Sequence, residues 1–204
     1  MIITITDYTA FRAAYMMREG VGSYRPYIEG VHIEPDGRCT GTNGHALVSS
    51  PCVEPFDGEA MTIRFYANLP KKMKRAWDAA RICTTTRQLQ FIDVDADVVL
   101  YAIAYTVCPG RFVDYRSLLV ECAAREPAEN GLEGHLLAVN PAYLECIRAA
   151  FDACIVSLVI TGYMHPVLVY PDREVPDGTV CLVMPARSGL LADEVLRDMK
   201  RHFA

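Results

Sequence analysis

Hydrophobic and polar positions follow a pattern that is used three times along the chain. Each repeat opens with a short apolar strand, passes through a helix-capping residue into an amphipathic helix, and then gives three strands. In the first repeat Ile2–Ile5 is the strand, and Thr6 or Asp7 caps a helix over about Tyr8–Met17. Pro35-Asp36-Gly37 is a tight turn between two of the strands that close this repeat. These strands are predicted at Tyr27–Ile33, Cys39–Gly41 and Ala46–Ser50.

The second and third repeats keep the same order. Met61–Phe65 opens the second, and Pro70 suits the first turn of a helix because its missing N–H costs nothing there. The apolar face of that predicted helix consists of Leu69, Met73, Ala76, Trp77 and Ala80. His135–Val139 opens the third repeat, and Asn140 caps a helix from Pro141 to about Phe151. The remaining strands are predicted at Ile82–Thr86, Gln88–Val94, Val98–Val107, Ile155–Thr161, Pro166–Tyr170 and Thr179–Met184.

The composition is that of a folded protein. Of the 204 residues, 51% are hydrophobic and 22% are charged, which excludes a disordered chain. No apolar run reaches the ~20 residues that cross a bilayer. The first residues also lack the features of a signal peptide, so we expect a cytoplasmic protein with no membrane partner. The net charge of −5 argues against a protein that holds nucleic acid mainly by bulk attraction.

The sequence carries no common signature of catalysis, cofactor binding or metal binding. It has no P-loop, no dinucleotide-binding glycine pattern, no G-x-S-x-G elbow and no H-E-x-x-H pair. Its eight cysteines are scattered without a C-x-x-C pair, so we expect buried thiols and no zinc site. Asp93, Asp95 and Asp97 are interpreted as a solvated cluster, since no other cation ligands accompany them. We therefore predict no cofactor and no enzyme.

Three short segments resemble the bacterial β sliding clamp, the processivity ring of DNA polymerase. They are Thr42-Asn43-Gly44-His45-Ala46-Leu47, Gly110-Arg111-Phe112-Val113-Asp114-Tyr115-Arg116 and Val183-Met184-Pro185-Ala186-Arg187. The family has a TDGHRL-type turn, an FPDYR-type connector and an MPMR-type ending in this order. The chain departs from the family at Ala46, Val113 and Ala186, where arginine, proline and methionine are usual. The resemblance covers roughly residues 1–187.

This resemblance implies an α+β sliding-clamp fold of βαβββ units, about one and a half clamp domains. Residues 1–110 would form a complete clamp-like domain of two units, 111–134 a connector, and 135–187 a clamp-like half-domain of one unit. Residues 188–204, which the family lacks, predict an amphipathic C-terminal helix that compensates for the missing half-domain. We expect this helix to pack on its own domain. Joining another subunit or covering the pocket described next are the alternatives.

The resemblance also implies a hydrophobic pocket that receives short peptides from polymerases and other clamp clients. Carried over residue by residue, its lining is Ile28, Thr42, Gly44, His45, Leu47, Val113, Leu118, Val183, Met184 and Pro185. Aliphatic groups and a polarizable methionine suit a peptide acceptor. Taken alone, each segment is equally consistent with an ordinary turn or the end of a core strand.

Clamp helices line a central hole, so the resemblance implies non-specific contact with the phosphates of double-stranded DNA. The residues implied lie on or beside the second predicted helix: Lys71, Lys72, Lys74, Arg75 and Arg81. The negative net charge does not exclude this, because a ring needs only a locally basic inner surface. The alternative is the solvated face of an amphipathic helix.

The function implied is that of a non-enzymatic DNA-replication accessory protein, a small homo-oligomeric sliding clamp that tethers replication proteins to DNA. A compact and divergent clamp would suit a phage or other mobile element. A first alternative is a clamp-derived interaction module or decoy that binds client peptides without encircling DNA. A second is an enzyme with a site near His45, where serines and Cys39 could imitate a nucleophile beside its base.

Overall fold

The computed structural model describes residues 1–124, 137–160 and 165–186, and in these residues it has three α-helices and one sheet of eleven antiparallel strands. The helices are α1 (Tyr8–Met17), α2 (Tyr115–Ala123) and α3 (Pro141–Phe151), with a 3₁₀ turn at Pro26–Ile28. The strands are β1 (Ile2–Ile5), β2 (Val31–Ile33), β3 (Arg38–Thr42), β4 (Ala46–Pro51), β5 (Met61–Phe65), β6 (Ala79–Cys83), β7 (Gln88–Asp93), β8 (Val98–Val107), β9 (Val156–Val159), β10 (Val167–Pro171) and β11 (Val180–Val183).

The first two units exchange their opening strands. The order across the sheet is β1-β6-β7-β8-β5-β2-β3-β4-β11-β10-β9. β1 thus pairs with β6 of the second unit, and β5 pairs with β2 of the first. The third unit joins along the seam between β4 and β11, where Leu47 lies opposite Leu182.

The two faces of the sheet carry different layers. Side chains alternate along a strand, so on β4 Ala46 and Val48 point toward α1 and α3, whereas Leu47 points toward α2. We name these two sides the helical face and the connector face. Most of the buried hydrophobic residues, including Phe11 and Phe91, lie under the helical face.

α1 and β3 are in direct backbone contact. Ala10, Ala13 and Ala14 of the helix are fully buried. A Cβ atom on Gly41 would lie 1.7 Å from the carbonyl oxygen of Ala14. Glycine at this strand position therefore sets how closely the helix packs on the sheet.

The capped helices of the first and third units are confirmed. α1 covers the predicted residues, and the Asp7 carboxylate accepts a hydrogen bond from the Ala10 N–H at 2.8 Å. α3 ends at Phe151 as predicted, and the Asn140 side chain accepts from the Ala142 N–H at 3.0 Å. Both helices could be predicted from their capping residues alone, because a cap acts on the helix that directly follows it.

The helix predicted from Pro70 onward is wrong. Residues 66–78 are irregular, and Ala79–Cys83 form β6, which pairs with β1 on one side and β7 on the other. Leu69 and Trp77 are buried, as the apolar pattern indicated. They reach the core from a loop.

Like charges and tertiary hydrogen bonds explain the absence of this helix. Lys71, Lys74 and Arg75 would lie three and four residues apart on a helix, where cations repel one another. The Tyr8 hydroxyl instead donates to the Pro70 carbonyl oxygen at 2.9 Å and holds the segment against α1.

Part of the predicted connector is helical. α2 lies within 111–134, and Asp114 is its N-cap. Residues 125–136, 161–164 and 187–204 lie outside the described residues, and with them the predicted C-terminal helix, Arg187 and the start of the third unit. Ala138, which belongs to the strand predicted to open the third unit, forms an isolated bridge with Ala186. The domain boundaries stay predictions.

Burial of the thiols agrees with the sequence. Six of the eight cysteines are buried: Cys39, Cys52, Cys83, Cys108, Cys122 and Cys181. Burial raises the pKa of Cys181 to about 12. Among the described residues there is no group of three or more potential metal ligands, and no helix long and apolar enough to cross a membrane.

Candidate functional site

A pocket of about 200 Å³ opens on the connector face, beside the seam between β4 and β11. The 3₁₀ turn, the turn before β4, the connector with α2 and the end of β11 all contribute to its walls. Eight of the ten residues predicted from the sequence line it: Ile28, Thr42, Gly44, His45, Leu47, Val113, Leu118 and Met184. The fold therefore brings together residues that are far apart in the sequence.

The structure places Val183 elsewhere, and Pro185 is not a lining residue. Val183 lies opposite Ala46, so its side chain points to the helical face and is buried in the main core. Leu182, one position earlier, points to the connector face and lies beside Leu47 in the floor of the pocket. Val183 was predicted to line the pocket. Because side chains alternate along β11, it points to the other face of the sheet and the prediction is wrong for this residue.

Sequence reasoning missed six residues that line the pocket. They are Arg25, Tyr27, Ala46, Asp114, Tyr115 and Leu182. Two signals could have found part of this set. Alternation along β11 identifies Leu182, and Tyr115, Leu118, Leu119 and Cys122 have the spacing of one helical face in the stretch interpreted as a connector.

The turn at the pocket rim is held by its own side chains. Gly44 has a φ of +85°, a conformation that favours glycine. The Asn43 Oδ1 accepts hydrogen bonds from the N–H groups of His45 and Ala46, each at 2.9 Å. The Thr42 hydroxyl accepts from the Gly44 N–H at 3.0 Å and donates to the Ala46 carbonyl at 2.8 Å. This part of the rim is therefore preorganised.

His45 connects the turn to the third unit. Its carbonyl oxygen accepts a hydrogen bond from the Met184 N–H at 2.7 Å. Its exposed ring stacks on Tyr143 of α3, with the ring centroids 6.1 Å apart and the planes 10° apart. Ser50 is one of the serines considered above as a nucleophile beside His45. Its hydroxyl lies 2.7 Å from the Thr179 hydroxyl. The described contacts thus place His45 in the packing between units.

Residues 114–116 fasten α2 to the sheet. Asp114 caps the helix, the Tyr115 hydroxyl donates to Glu34, and the Arg116 guanidinium pairs with Glu34 at 3.0 Å and with Asp36. We name Glu34, Asp36, Tyr115 and Arg116 the clasp. Partial burial by itself would raise the pKa of Asp36. The hydrogen bonds from the Arg116 side chain and the Arg38 N–H, together with the charges of the two arginines, outweigh burial and hold that pKa below its usual range. The clasp keeps Asp114 and Tyr115 at the pocket.

A buried ion pair holds the loop that carries Arg25 to the pocket. The Glu29 side chain is 2% exposed, and its carboxylate accepts from Arg64 at 2.7 Å and from the Gly22 N–H at 2.9 Å. Burial by itself would raise the pKa of Glu29. The hydrogen bonds from Arg64 and from two backbone N–H groups outweigh burial and hold that pKa below its usual range.

Glu29→Gln is expected to lower the free energy of unfolding by about 2 kcal/mol at pH 7, because the amide leaves Arg64 without an ionic partner. The folded-state pKa lies below the unfolded-state pKa, so the carboxylate stabilises the fold above the unfolded value. That contribution is lost as the pH falls through the folded value. Urea unfolding should therefore show the wild type losing stability faster than the variant below about pH 5. Equal stabilities at pH 7 would contradict this expectation.

A second cavity of about 430 Å³ lies on the other side of the connector. The ring of His32 stacks on Phe112 with centroids 4.3 Å apart, and its Nδ1 lies 3.0 Å from the Thr62 hydroxyl. Burial lowers the pKa of His32. Glu34 and Arg116 of the clasp form another wall. No motif in the sequence predicts this cavity.

The segment 66–78, named here the basic segment, lies on the helical face. The Tyr15 hydroxyl of α1 donates to the Asn68 side chain at 3.1 Å, and the Lys72 Nζ lies 3.1 Å from the Asp152 carboxylate that follows α3. The segment thus contacts both helices. Its four cationic side chains are exposed: Lys71, Lys72, Lys74 and Arg75.

Lys74 packs on aromatic rings. Its Nζ lies 4.9 Å from the ring centroid of Trp77 and 5.9 Å from that of Tyr101. The fifth predicted cation, Arg81, is not grouped with these. It lies on β6 between the inward-facing Ala80 and Ile82, and it donates to Gln90 at 3.0 Å on the opposite face of the sheet.

The structure is similar to solved DNA polymerase sliding clamps. Against the DNA polymerase III subunit beta of Pseudomonas aeruginosa the TM-score is 0.59 with 13% identity, over 92% of this chain and 67% of that chain. Against the sliding clamp of Bacillus subtilis the values are 0.57 and 17%, over 92% and 64%. Against the beta chain of Streptococcus pneumoniae they are 0.56 and 13%, over 91% and 64%.

The chain therefore spans about two thirds of the length of these clamps. Neither a protein-family model nor a curated protein matches the sequence. The α+β architecture predicted from the resemblance is confirmed at the level of the fold. With its units, seam and pocket arranged as described, the chain has the fold of the bacterial β sliding clamp.

Proposed function

We propose that this protein is a clamp-type DNA-replication accessory protein that holds short apolar peptides of replication proteins in the pocket beside the seam. The observation that carries the proposal is the convergence of four separate chain segments on one pocket of about 200 Å³ in a clamp fold. The proposal assigns no chemical step to the chain.

The pocket has the chemistry of a peptide acceptor. Leu47, Leu182 and Ile28 give a buried aliphatic floor, and Met184 adds a polarizable side chain that adapts to different partners. Polar groups lie at the rim, where Arg25 donates to the Asn43 carbonyl at 3.2 Å. An apolar floor with a polar rim favours an extended peptide that buries one or two large apolar side chains.

Fluorescence polarisation with labelled peptides of about six residues tests the proposal. One peptide would carry adjacent leucine and phenylalanine side chains, and its control would carry alanine at both positions. We expect a dissociation constant of about 1–100 μM for the first peptide and much weaker binding for the control. Equal binding of the two peptides would contradict the assignment of the pocket.

We further propose that the helical face lies along double-stranded DNA, with Lys71, Lys74 and Arg75 near the phosphates. These cations are exposed on the face that carries α1 and α3. They lie on the basic segment, which is irregular where a helix was predicted. Such contacts are non-specific in sequence and weaken with salt. Arg81, on the other face, is left out of this proposal.

The double variant Lys71→Glu, Arg75→Glu is expected to weaken binding to a duplex by at least about tenfold at low salt and to reduce the salt dependence of binding. A matched control is Arg87→Glu, Arg111→Glu, which changes the net charge equally at exposed positions outside the basic segment. Filter binding across a salt series measures the affinity for the duplex and its salt dependence in each variant. Equal losses in the two variants would indicate bulk charge and would contradict a role for the basic segment.

The second candidate is an adaptor that binds client peptides without encircling DNA. One observation favours it: residues 66–78 lack the helix expected of the second unit. Peptide binding without measurable duplex binding would support the adaptor over the clamp.

A further inference from the structure

The pocket beside the seam and the second cavity share one wall of the connector. Val113, Asp114 and Tyr115 line both of them. The Val113 side chain is 39% exposed, so the ridge between the two cavities is open to solvent. A peptide bound in the pocket can therefore continue across Val113 into the second cavity.

The second cavity has the size and the mixed lining that suit a peptide flank. Its volume is about 430 Å³, compared with about 200 Å³ for the pocket. Met61, Val107 and Phe112 are apolar parts of its lining, whereas His32 and Thr62 are polar. Sites for apolar small molecules are mostly hydrophobic, and the rims of protein interfaces are polar. This lining therefore favours the polar end of a longer ligand.

Most charged groups that line the second cavity already have a partner. Glu34 and Arg116 pair at 3.0 Å. The Asp114 carboxylate accepts from the Ser117 N–H at 3.2 Å and from the Ser117 hydroxyl at 2.7 Å. Arg111 is exposed and makes no hydrogen bond or ion pair within the part of the chain that the structure describes. Its guanidinium is thus the charged group of this lining that is left for a ligand.

We propose that the second cavity is an accessory subsite for the client peptide, which crosses Val113 and places an acidic side chain against Arg111. The inference rests on the proposed function, because the apolar part of the same peptide fills the pocket beside the seam. Charge complementarity of this kind contributes more to specificity than to affinity. The net charge of −5 would by itself disfavour an acidic peptide, so the preference has to come from this local site.

Fluorescence polarisation with flanked peptides tests the proposal on the full chain. The six-residue peptide with adjacent leucine and phenylalanine is extended at either end by three residues, which span about 10 Å. The added residues contain either aspartate or lysine. At low salt we expect the aspartate peptide to bind the wild type at least about threefold more tightly than the lysine peptide at one of the two ends. The difference should disappear at about 1 M salt.

Two variants locate this preference. Arg111→Glu should reverse it, so that the lysine peptide binds more tightly than the aspartate peptide. Ala60→Trp should remove it, because Ala60 is exposed and lines the second cavity without lining the pocket. Neither variant should change the affinity for the six-residue peptide. The matched control is Arg87→Glu, which makes the same charge change as Arg111→Glu at an exposed position outside both linings and should keep the preference.

Three outcomes would overturn the inference. The first is equal binding of the aspartate and lysine peptides to the wild type at both ends. The second is the same change of preference in Arg87→Glu and Arg111→Glu, which would indicate net charge. The third is an unchanged preference in Ala60→Trp. If the six-residue peptide binds in each of these cases, the proposed function stands, whereas its failure to bind the wild type would overturn both.

Discussion

A chain that carries Val113→Arg is expected to fold normally and to bind apolar peptides at least about a hundredfold more weakly than the wild type. Val113 lines the pocket and is 39% exposed, so the fold does not depend on its burial. The longer side chain would occupy the space of about 200 Å³ and place a charge above the floor formed by Leu47 and Leu182. A peptide would then have to desolvate that charge. Polarisation titration and a thermal melt measure the two quantities.

The matched control is Val120→Arg. Val120 is on α2, is 68% exposed and does not line the pocket. Val120→Arg should bind the peptide with the affinity of the wild type. Wild-type affinity in Val113→Arg would exclude this pocket as the binding site. An equal loss in both variants would point to net charge or to the connector as a whole.

Gly41→Ala is expected to lower the free energy of unfolding by at least about 3 kcal/mol, which corresponds to about 10 °C in melting temperature for a chain of this size. The new Cβ would lie 1.7 Å from the Ala14 carbonyl oxygen. That atom belongs to the backbone of α1, so no side-chain rotation relieves the clash. The helix would have to move off β3, and the buried contacts of Ala10 and Phe11 would be lost with it.

Gly20→Ala is the control for this substitution. No heavy atom lies within 4 Å of the position that its Cβ would take. Its melting temperature should stay within a degree or two of the wild type, since surface substitutions of this kind change stability by about 0.5 kcal/mol or less. A melting temperature of Gly41→Ala equal to that of Gly20→Ala would contradict the close approach of α1 to β3.

Elements with local signals could be predicted from the sequence. The caps at Asp7 and Asn140 identify α1 and α3, and the apolar runs at Met61–Phe65 and Val98–Val107 identify β5 and β8 within the bounds that the structure has. Capping and alternation act over a few residues, so their physics is contained in the segment itself.

Elements that depend on distant partners could not be predicted in the same way. The apolar spacing of Leu69 and Trp77 fits a helix, but repulsion among neighbouring cations and the strand pairing of Ala79–Cys83 decide against one. For the pocket, motif order found eight lining residues, whereas the orientation of Val183 depends on its register with Ala46. Register is a tertiary property that no single segment contains.

The seam between β4 and β11 makes pocket occupancy and unit docking thermodynamically linked. Leu47 and Leu182 face each other across it, so the pocket floor exists only while the third unit is docked. A peptide that binds this floor must stabilise the docked state by mass action. Binding would then slow hydrogen exchange at the amides of Ala46–Pro51 and Val180–Val183, although most of these amides never touch the ligand.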